Sequence, residues 1–303
     1  MFMTIKLQEL DDNMYEKLNN NINFEDIIKG RKGAILVDNI NLIPLIRSTT
    51  KYSNPPQLFS SIHYNIINII KKQICNHFHD INFNNINFNN AMIEIYDNRY
   101  KTMSYHSDLA IDLDENSYIC IYSCYSNPYE EKNKRLLITK EKSIKNVNNN
   151  IDDIDNIDDI VNNNKEQRYI MTNNSCIIFS TETNKKFIHK IVLDNNIDNK
   201  IDNKIDNKWL GITFRLSKTF IHFKNEIPYF VNNDNNDNND NNDNNDNNDN
   251  NIDNEKKLLK ANELEIVEFY KLRKNENCQI NFTYPPIYYT ISNSDLLYPI
   301  INL

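Results

Sequence analysis

The sequence has no apolar run as long as the roughly 18 residues a helix needs to span a bilayer, which excludes a helical membrane anchor. Its first residues, MFMTIKLQELDDNM, carry acids early and lack an apolar core, so no secretory leader is expected. Five cysteines, Cys75, Cys120, Cys124, Cys176 and Cys278, are too few and too scattered for a disulfide framework, and no second pair stands at zinc spacing. The expectation is buried, reduced thiols in an intracellular protein, cytoplasmic or nuclear. Glycine and alanine are scarce, at three and four residues, while asparagine reaches 59 of 303. Asn, Ile, Lys and Tyr share AT-rich codons, so much of this bias reports codon usage and not function.

The net charge of −8 is unevenly placed. Segments 146–164, 195–207 and 231–254 together carry −13, which leaves the other 247 residues at +5. A mildly basic remainder is compatible with a polyanionic partner. The third segment holds six consecutive NND units, with period three and no apolar position, so it has no face to bury. All three read as disordered loop expansions within one domain. The expected layout is an N-terminal helical or mixed extension packing on the core (1–88), a core over 89–230 with the first two inserts, the disordered repeat, and a C-terminal helix and strap (255–303).

Residues 58–75 repeat apolar side chains at helical spacing, with Phe59, Ile62, Ile66, Ile69, Ile70 and Ile74 on one face. From 91 to 223 the period falls to two. Strands are expected at 92–96, 117–125, 135–140, 175–180, 187–193, 209–216 and 219–223. Tyr118, Cys120, Tyr122 and Cys124 share a face. Few helical signals intervene, which gives an α+β chain that is mainly β, a sandwich or jelly roll with flanking helices. A last helix is expected over 255–274, with Leu259, Ile266, Phe269 and Tyr270 on one side.

Of six histidines, His63, His77, His79 and His222 read as surface or packing residues. His106 differs. It sits in YHSD, and in extended backbone Asp108, two residues on, faces the same side. His189 lies on a strong strand, KKFIHKIVL. Two histidines and one carboxylate form a facial set that leaves positions open on a non-haem Fe(II). In WLGITFRL, Leu210, Ile212, Phe214 and Leu216 face one way, and Trp209, Gly211, Thr213 and Arg215 the other. The second face looks too polar for packed core, and Arg215 suits a planar fork around a carboxylate.

The ordered elements IEIYDNRYKTMSYHSD, SYICIYSCY, NSCIIFS, FIHKIVL and WLGITFR resemble the Fe(II)- and 2-oxoglutarate-dependent dioxygenases, in their AlkB-like branch, over about 91–223. The resemblance implies a double-stranded β-helix. It implies that His106, Asp108 and His189 ligate iron, and that Arg215, Tyr96 and Thr213 contact the cosubstrate. Arg215 is then expected several Å further into the barrel than the metal. Glu94 stands where the family has asparagine, and Trp209 where it has an earlier arginine. The implied activity is hydroxylation of a C–H bond, with oxidative demethylation of nucleic acid or hydroxylation of a protein or small molecule as outcomes. Tyr100, Tyr105, Tyr122 and Tyr125 are candidate base-stacking residues. A non-catalytic jelly-roll binding module is the alternative that Trp209 favours.

Overall fold

A computed structural model describes residues 1–77, 86–130, 132–143, 165–194, 206–231 and 255–301. The three asparagine-rich inserts lie outside the described residues, except 206, 207 and 231. In chain order the elements are β1 (Met3–Lys6), α1 (Met14–Asn21), β2 (Glu25–Ile28), β3 (Arg31–Val37), β4 (Ile43–Leu45), β5 (Gln57–Leu58), α2 (Ser61–His77), β6 (Asn90–Tyr96), β7 (Tyr118–Tyr125) and β8 (Arg135–Glu141). They continue as β9 (Gln167–Met171), β10 (Ser175–Ser180), α3 (Thr181–Lys186), β11 (Phe187–Leu193), β12 (Trp209–Arg215), β13 (Thr219–Lys224), β14 (Ile227–Phe230), β15 (Leu259–Lys260), α4 (Glu263–Cys278) and β16 (Tyr289–Thr290).

The large sheet runs β1-β10-β7-β12-β6-β3-β2, antiparallel throughout, with β5 alongside β3 in parallel. A second sheet runs β11-β8-β9. Alternation on the large sheet's strands divides two interiors. Leu210, Ile212 and Phe214 point to the same side as Ile93, Cys120, Tyr122, Cys124 and Ile178, and that side packs on Ile66, Ile70 and Ile74 of α2. Ile121, Ile177, Tyr96 and Trp209 point the other way and meet Leu137, Met171 and Ile191 of the second sheet. The result is an antiparallel sandwich of jelly-roll kind, mainly β, with a helical layer on one outer face. Each fully buried aliphatic or aromatic side chain there contributes about 1.5–3 kcal/mol.

All seven expected strands are present, each within two residues of its expected ends. The face of β12 read as too polar for core is buried nonetheless, since Trp209 is in the sandwich interior. Residues 1–88 do more than pack on the core. β1 pairs with β10, and β3 pairs with β6, so they extend its sheet on both sides. The last helix starts at Glu263 and not at 255. Asn262 accepts the Glu265 N–H, and the Glu265 carboxylate accepts the Asn262 N–H, a capping box that fixes the start. Leu259 therefore lies outside it, exposed, and Tyr270 points off the buried face. The cysteines are free, but only Cys120, Cys124 and Cys176 are buried, whereas Cys75 is exposed. No helix among the described residues is long and apolar enough to cross a membrane.

Candidate metal centre

His189 is placed by β11, where burial on both sides leaves it 3% exposed. His106 is placed by pairing with it. The His106 N–H donates to the His189 carbonyl at 2.9 Å, and the His189 N–H returns the bond at 2.7 Å. Residues 101–106 thus lie along β11 as a further edge of the second sheet. Thr102 stands opposite Val192 and His106 opposite His189, so 101–106 carry one extra residue, a bulge that re-aims His106. The two rings lie 4.6 Å apart, centroid to centroid.

Asp108 follows in irregular backbone, and two separate elements hold it. Asn184 of α3 accepts the Asp108 N–H and donates to its carbonyl, both at 2.7 Å. From α4, Asn277 accepts the Ser107 N–H, Arg273 donates to the Ser107 carbonyl, and Glu276 accepts the Ala110 N–H. No motif in the sequence singles out these residues, because their partners are about 75 to 170 positions away. The C-terminal helix α4 thereby clamps residues 107–110, the segment that carries Asp108.

One ligand atom from each of His106, Asp108 and His189 lies within 4.8 Å of the others. His189 Nε2 is 3.6 Å from Asp108 Oδ1. His106 Nδ1 lies 3.0 Å from the Ser104 carbonyl. With the proton on Nδ1, that contact leaves Nε2 with its lone pair. His189 Nδ1 is buried with no hydrogen-bond partner among the described residues. The donor set fits a divalent transition metal with open positions, of the iron(II) class.

The electrostatics agree. Burial lowers both imidazoles, His106 to about 3 with help from His189 and Arg273, and His189 to about 4. Both are neutral donors at neutral pH. Burial alone would raise the Asp108 carboxyl, but Arg215, then His189 and His106, outweigh it and hold it at about 2. The Arg215 Nε–H donates to Asp108 Oδ2 at 2.8 Å. The guanidinium therefore sits directly on the Asp108 carboxylate, and not several Å deeper as expected. This leaves Oδ1 for a metal and fixes the carboxylate's orientation.

The inner face of the large sheet carries the other expected residues. Arg31, Tyr96 and Trp209 form one cross-strand row, and Gly33, Glu94 and Gly211 the next. Two of the chain's three glycines thus flank Glu94. A Cβ on Gly211 would run into the Trp209 ring, and one on Gly33 would lie 2.8 Å from the Tyr52 hydroxyl. Their absence of side chains lets the indole lie flat along β12 and lets Tyr52 reach Glu94 at 3.3 Å. The Tyr96 hydroxyl donates to Glu94 at 2.5 Å, and its ring packs at a tilt of 39° against Trp209, centroids 4.7 Å apart. Thr213 shares this face, two residues from Arg215.

A cavity of about 630 Å³ opens onto His106, Asp108 and Arg215. It also reaches Arg31, Arg47 and Arg273, so among the described residues four arginines and one carboxylate line it. Tyr100 and Tyr105 lie on its wall, whereas Tyr122 and Tyr125 are fully buried and unavailable for stacking on a base. His63 is wholly buried and His222 lies 3.8 Å from Glu255, both away from the centre. His79 lies outside the described residues.

No family model matches the chain, and no curated protein matches it. Among solved structures, one titled "The structure of OsALKBH1" aligns with a TM-score of 0.41 and 11% identity, over 71% of this chain and 96% of that one. A likeness of that degree is too slight to assign a fold or an activity.

Proposed function

We propose that the chain is an oxygenase that holds iron(II) through His106, Asp108 and His189 and uses 2-oxoglutarate to hydroxylate a C–H bond. The observation that carries this reading is the meeting of two imidazoles and one carboxylate, of which His106 and Asp108 lie on the wall of a cavity. The resemblance of the H-x-D, strand-His and T-F-R elements supports it. So does the arrangement of four strands (β10, β7, β12, β6) facing four (101–106, β11, β8, β9), which suits a double-stranded β-helix. When bound, iron and the oxo acid supply oxidative decarboxylation coupled to hydroxylation.

The chain's own residues would do the rest. Arg215 orients Asp108 and lines the cavity, where it is the candidate partner for the oxo acid. Tyr96 and Thr213 are the further candidates, with the Tyr96 hydroxyl already engaged by Glu94. The packed interior from Trp209 to Ile191 excludes water behind the site. The substrate would be a methylated nucleic acid or a protein or small-molecule C–H group.

Anaerobic addition of Fe(II) and 2-oxoglutarate tests the reading. A charge-transfer absorption band is expected, then succinate when oxygen is admitted. His189→Ala should lose the band and His222→Ala keep it. Absence of a band in the unaltered protein, or equal behaviour of the two variants, would overturn the assignment. Formaldehyde release from a panel of methylated oligonucleotides separates the substrate classes. A second reading, a binding module without catalysis, is favoured by one observation. The Trp209 ring lies along β12 where the resemblance expects an arginine.

A further inference from the structure

The geometry points to Arg31, with Thr50, as the partner for the far carboxylate of a five-carbon 2-oxo diacid in this cavity. The inference rests on the proposed function and deepens it. Strand β12 offers only Arg215 as a cation on this face, since Trp209 stands where the resemblance expects an earlier arginine. In the same cross-strand row, Trp209 is paired with Tyr96 and Tyr96 with Arg31. A guanidinium is therefore present two strands along the sheet in the same row. It opens onto the same cavity as Arg215, His106 and Asp108.

Arg31 is built as a rigid fork. Its Nε donates to Glu94 Oε1 at 2.7 Å, and its Nη2 pairs with the same Glu94 oxygen and donates to Thr50 Oγ1 at 3.0 Å. Tyr96 and Tyr100 lie with ring centroids 5.9 and 5.8 Å from its guanidinium carbon. Glu94 is buried behind it and does not line the cavity, so it fixes the arginine from the side away from a ligand. A planar, pre-oriented guanidinium matches a carboxylate in two hydrogen bonds.

The other arginines are less suited. Arg47 is engaged by Asp112 and by the carbonyls of Ile287 and Tyr289, and Arg273 by Glu276 and the Ser107 carbonyl. Arg135 is buried and donates to the carbonyls of Tyr100 and Asp97, off the cavity wall. Arg31 shares its outer nitrogen with a threonine hydroxyl at the cavity wall, a contact a ligand carboxylate can join.

The test is anaerobic titration of the full-length Fe(II) protein with 2-oxoglutarate and with 2-oxobutyrate, read by the charge-transfer band and by calorimetry. 2-Oxobutyrate keeps the oxo-acid head and lacks the far carboxylate. The unaltered protein should prefer 2-oxoglutarate by about 10- to 100-fold. Arg31→Met should erase that preference and leave 2-oxobutyrate binding as it was. Because Arg31→Met strands the Glu94 charge, the double variant Arg31→Met/Glu94→Gln is run beside it and should show the same loss. Retention of the preference in both variants would overturn the inference. Equal binding of the two acids by the unaltered protein would also overturn it, and would leave the proposed function standing. Binding of neither acid would remove the proposed function and this inference together.

Discussion

The two faces of the large sheet are made by the same strands and do different work. On β12, Leu210, Ile212 and Phe214 enter an apolar interior closed by α2, while Trp209, Gly211, Thr213 and Arg215 enter an interior that holds Glu94, Asp108 and two histidines. Both faces are buried. Alternation here separates a face packed as apolar core from a face that carries the candidate metal centre, here termed the chemical face, and does not separate core from solvent. The division also locates two of the three glycines. Gly33 and Gly211 are on the chemical face, where side chains lie along the sheet instead of standing off it.

The largest effect that would expose this division is on the apolar face. Phe214 is fully buried against Phe88, with ring centroids 5.6 Å apart, and against Phe59 at 6.1 Å. Phe214→Ala should destabilise the chain by about 3–5 kcal/mol in urea unfolding. Metal affinity of the folded fraction should stay within about twofold, a change of less than about 0.5 kcal/mol. A large loss of metal affinity would mean that the two interiors are mechanically one.

The converse change is His189→Ala. It removes one of three donors, and affinity for Co(II) or Fe(II) should fall by about 100-fold or more, since even an outer partner of a ligand is worth about 10–100-fold. Unfolding of the metal-free protein should change by less than in Phe214→Ala. The unaltered chain should gain stability on adding metal, and the variant should not, because only the native state holds the three ligands together.

The apolar face was the more legible in sequence. Its strands follow from period-two runs, and Ile66, Ile70 and Ile74 mark α2 by spacing alone. His106, Asp108 and His189 stand out because histidine in a strand and H-x-D are local signals. What surrounds them is not local. Asn184, Arg273 and Asn277 read as ordinary polar residues of helices until the fold brings them onto 107–110. Arg31 lies in RKGAILV, a strand hidden among irregular N-terminal segments, and only sheet register puts it beside Tyr96. Arg215 was legible as an arginine on an inner face, but the sequence does not reveal that its carboxylate partner is Asp108, the candidate ligand. The two-residue β5, β15 and β16 are too short to show any period.

A smaller effect compares histidines buried behind the two faces. His63 lies on the helical side, with its Nδ1 accepting the Ser60 N–H at 2.9 Å, and burial lowers it to about 4. A histidine depressed in the native state stabilises fully above its unfolded value of about 6.5, and that contribution is lost as pH falls toward 4. His63→Gln should lessen the slope of stability against pH in this window by up to about 1.4 kcal/mol per pH unit. The change should be the same with and without bound metal. A metal-dependent slope change would mean that the helical layer and the centre are coupled.

The smallest expected effect is the sharpest test of separation, because it removes a single oxygen from each face. On the apolar side, the Tyr122 hydroxyl donates to Asn174 Oδ1 at 2.8 Å, and Asn174 in turn donates to the carbonyls of Leu10 and Asp11. Tyr122→Phe leaves no void but strands one buried acceptor, so the cost should be about 1 kcal/mol in unfolding, with metal and oxo-acid binding unchanged. On the chemical side, Tyr96→Phe removes a donor to Glu94, which keeps Arg31 and Tyr52 as partners. Its stability cost should be similar, yet it alters the charge environment of Arg31 and so should also shift oxo-acid affinity, read from the charge-transfer titration. If both variants lose only stability, Tyr96 belongs functionally with the apolar face, and the chemical face narrows to Arg31, Arg215 and the three metal donors.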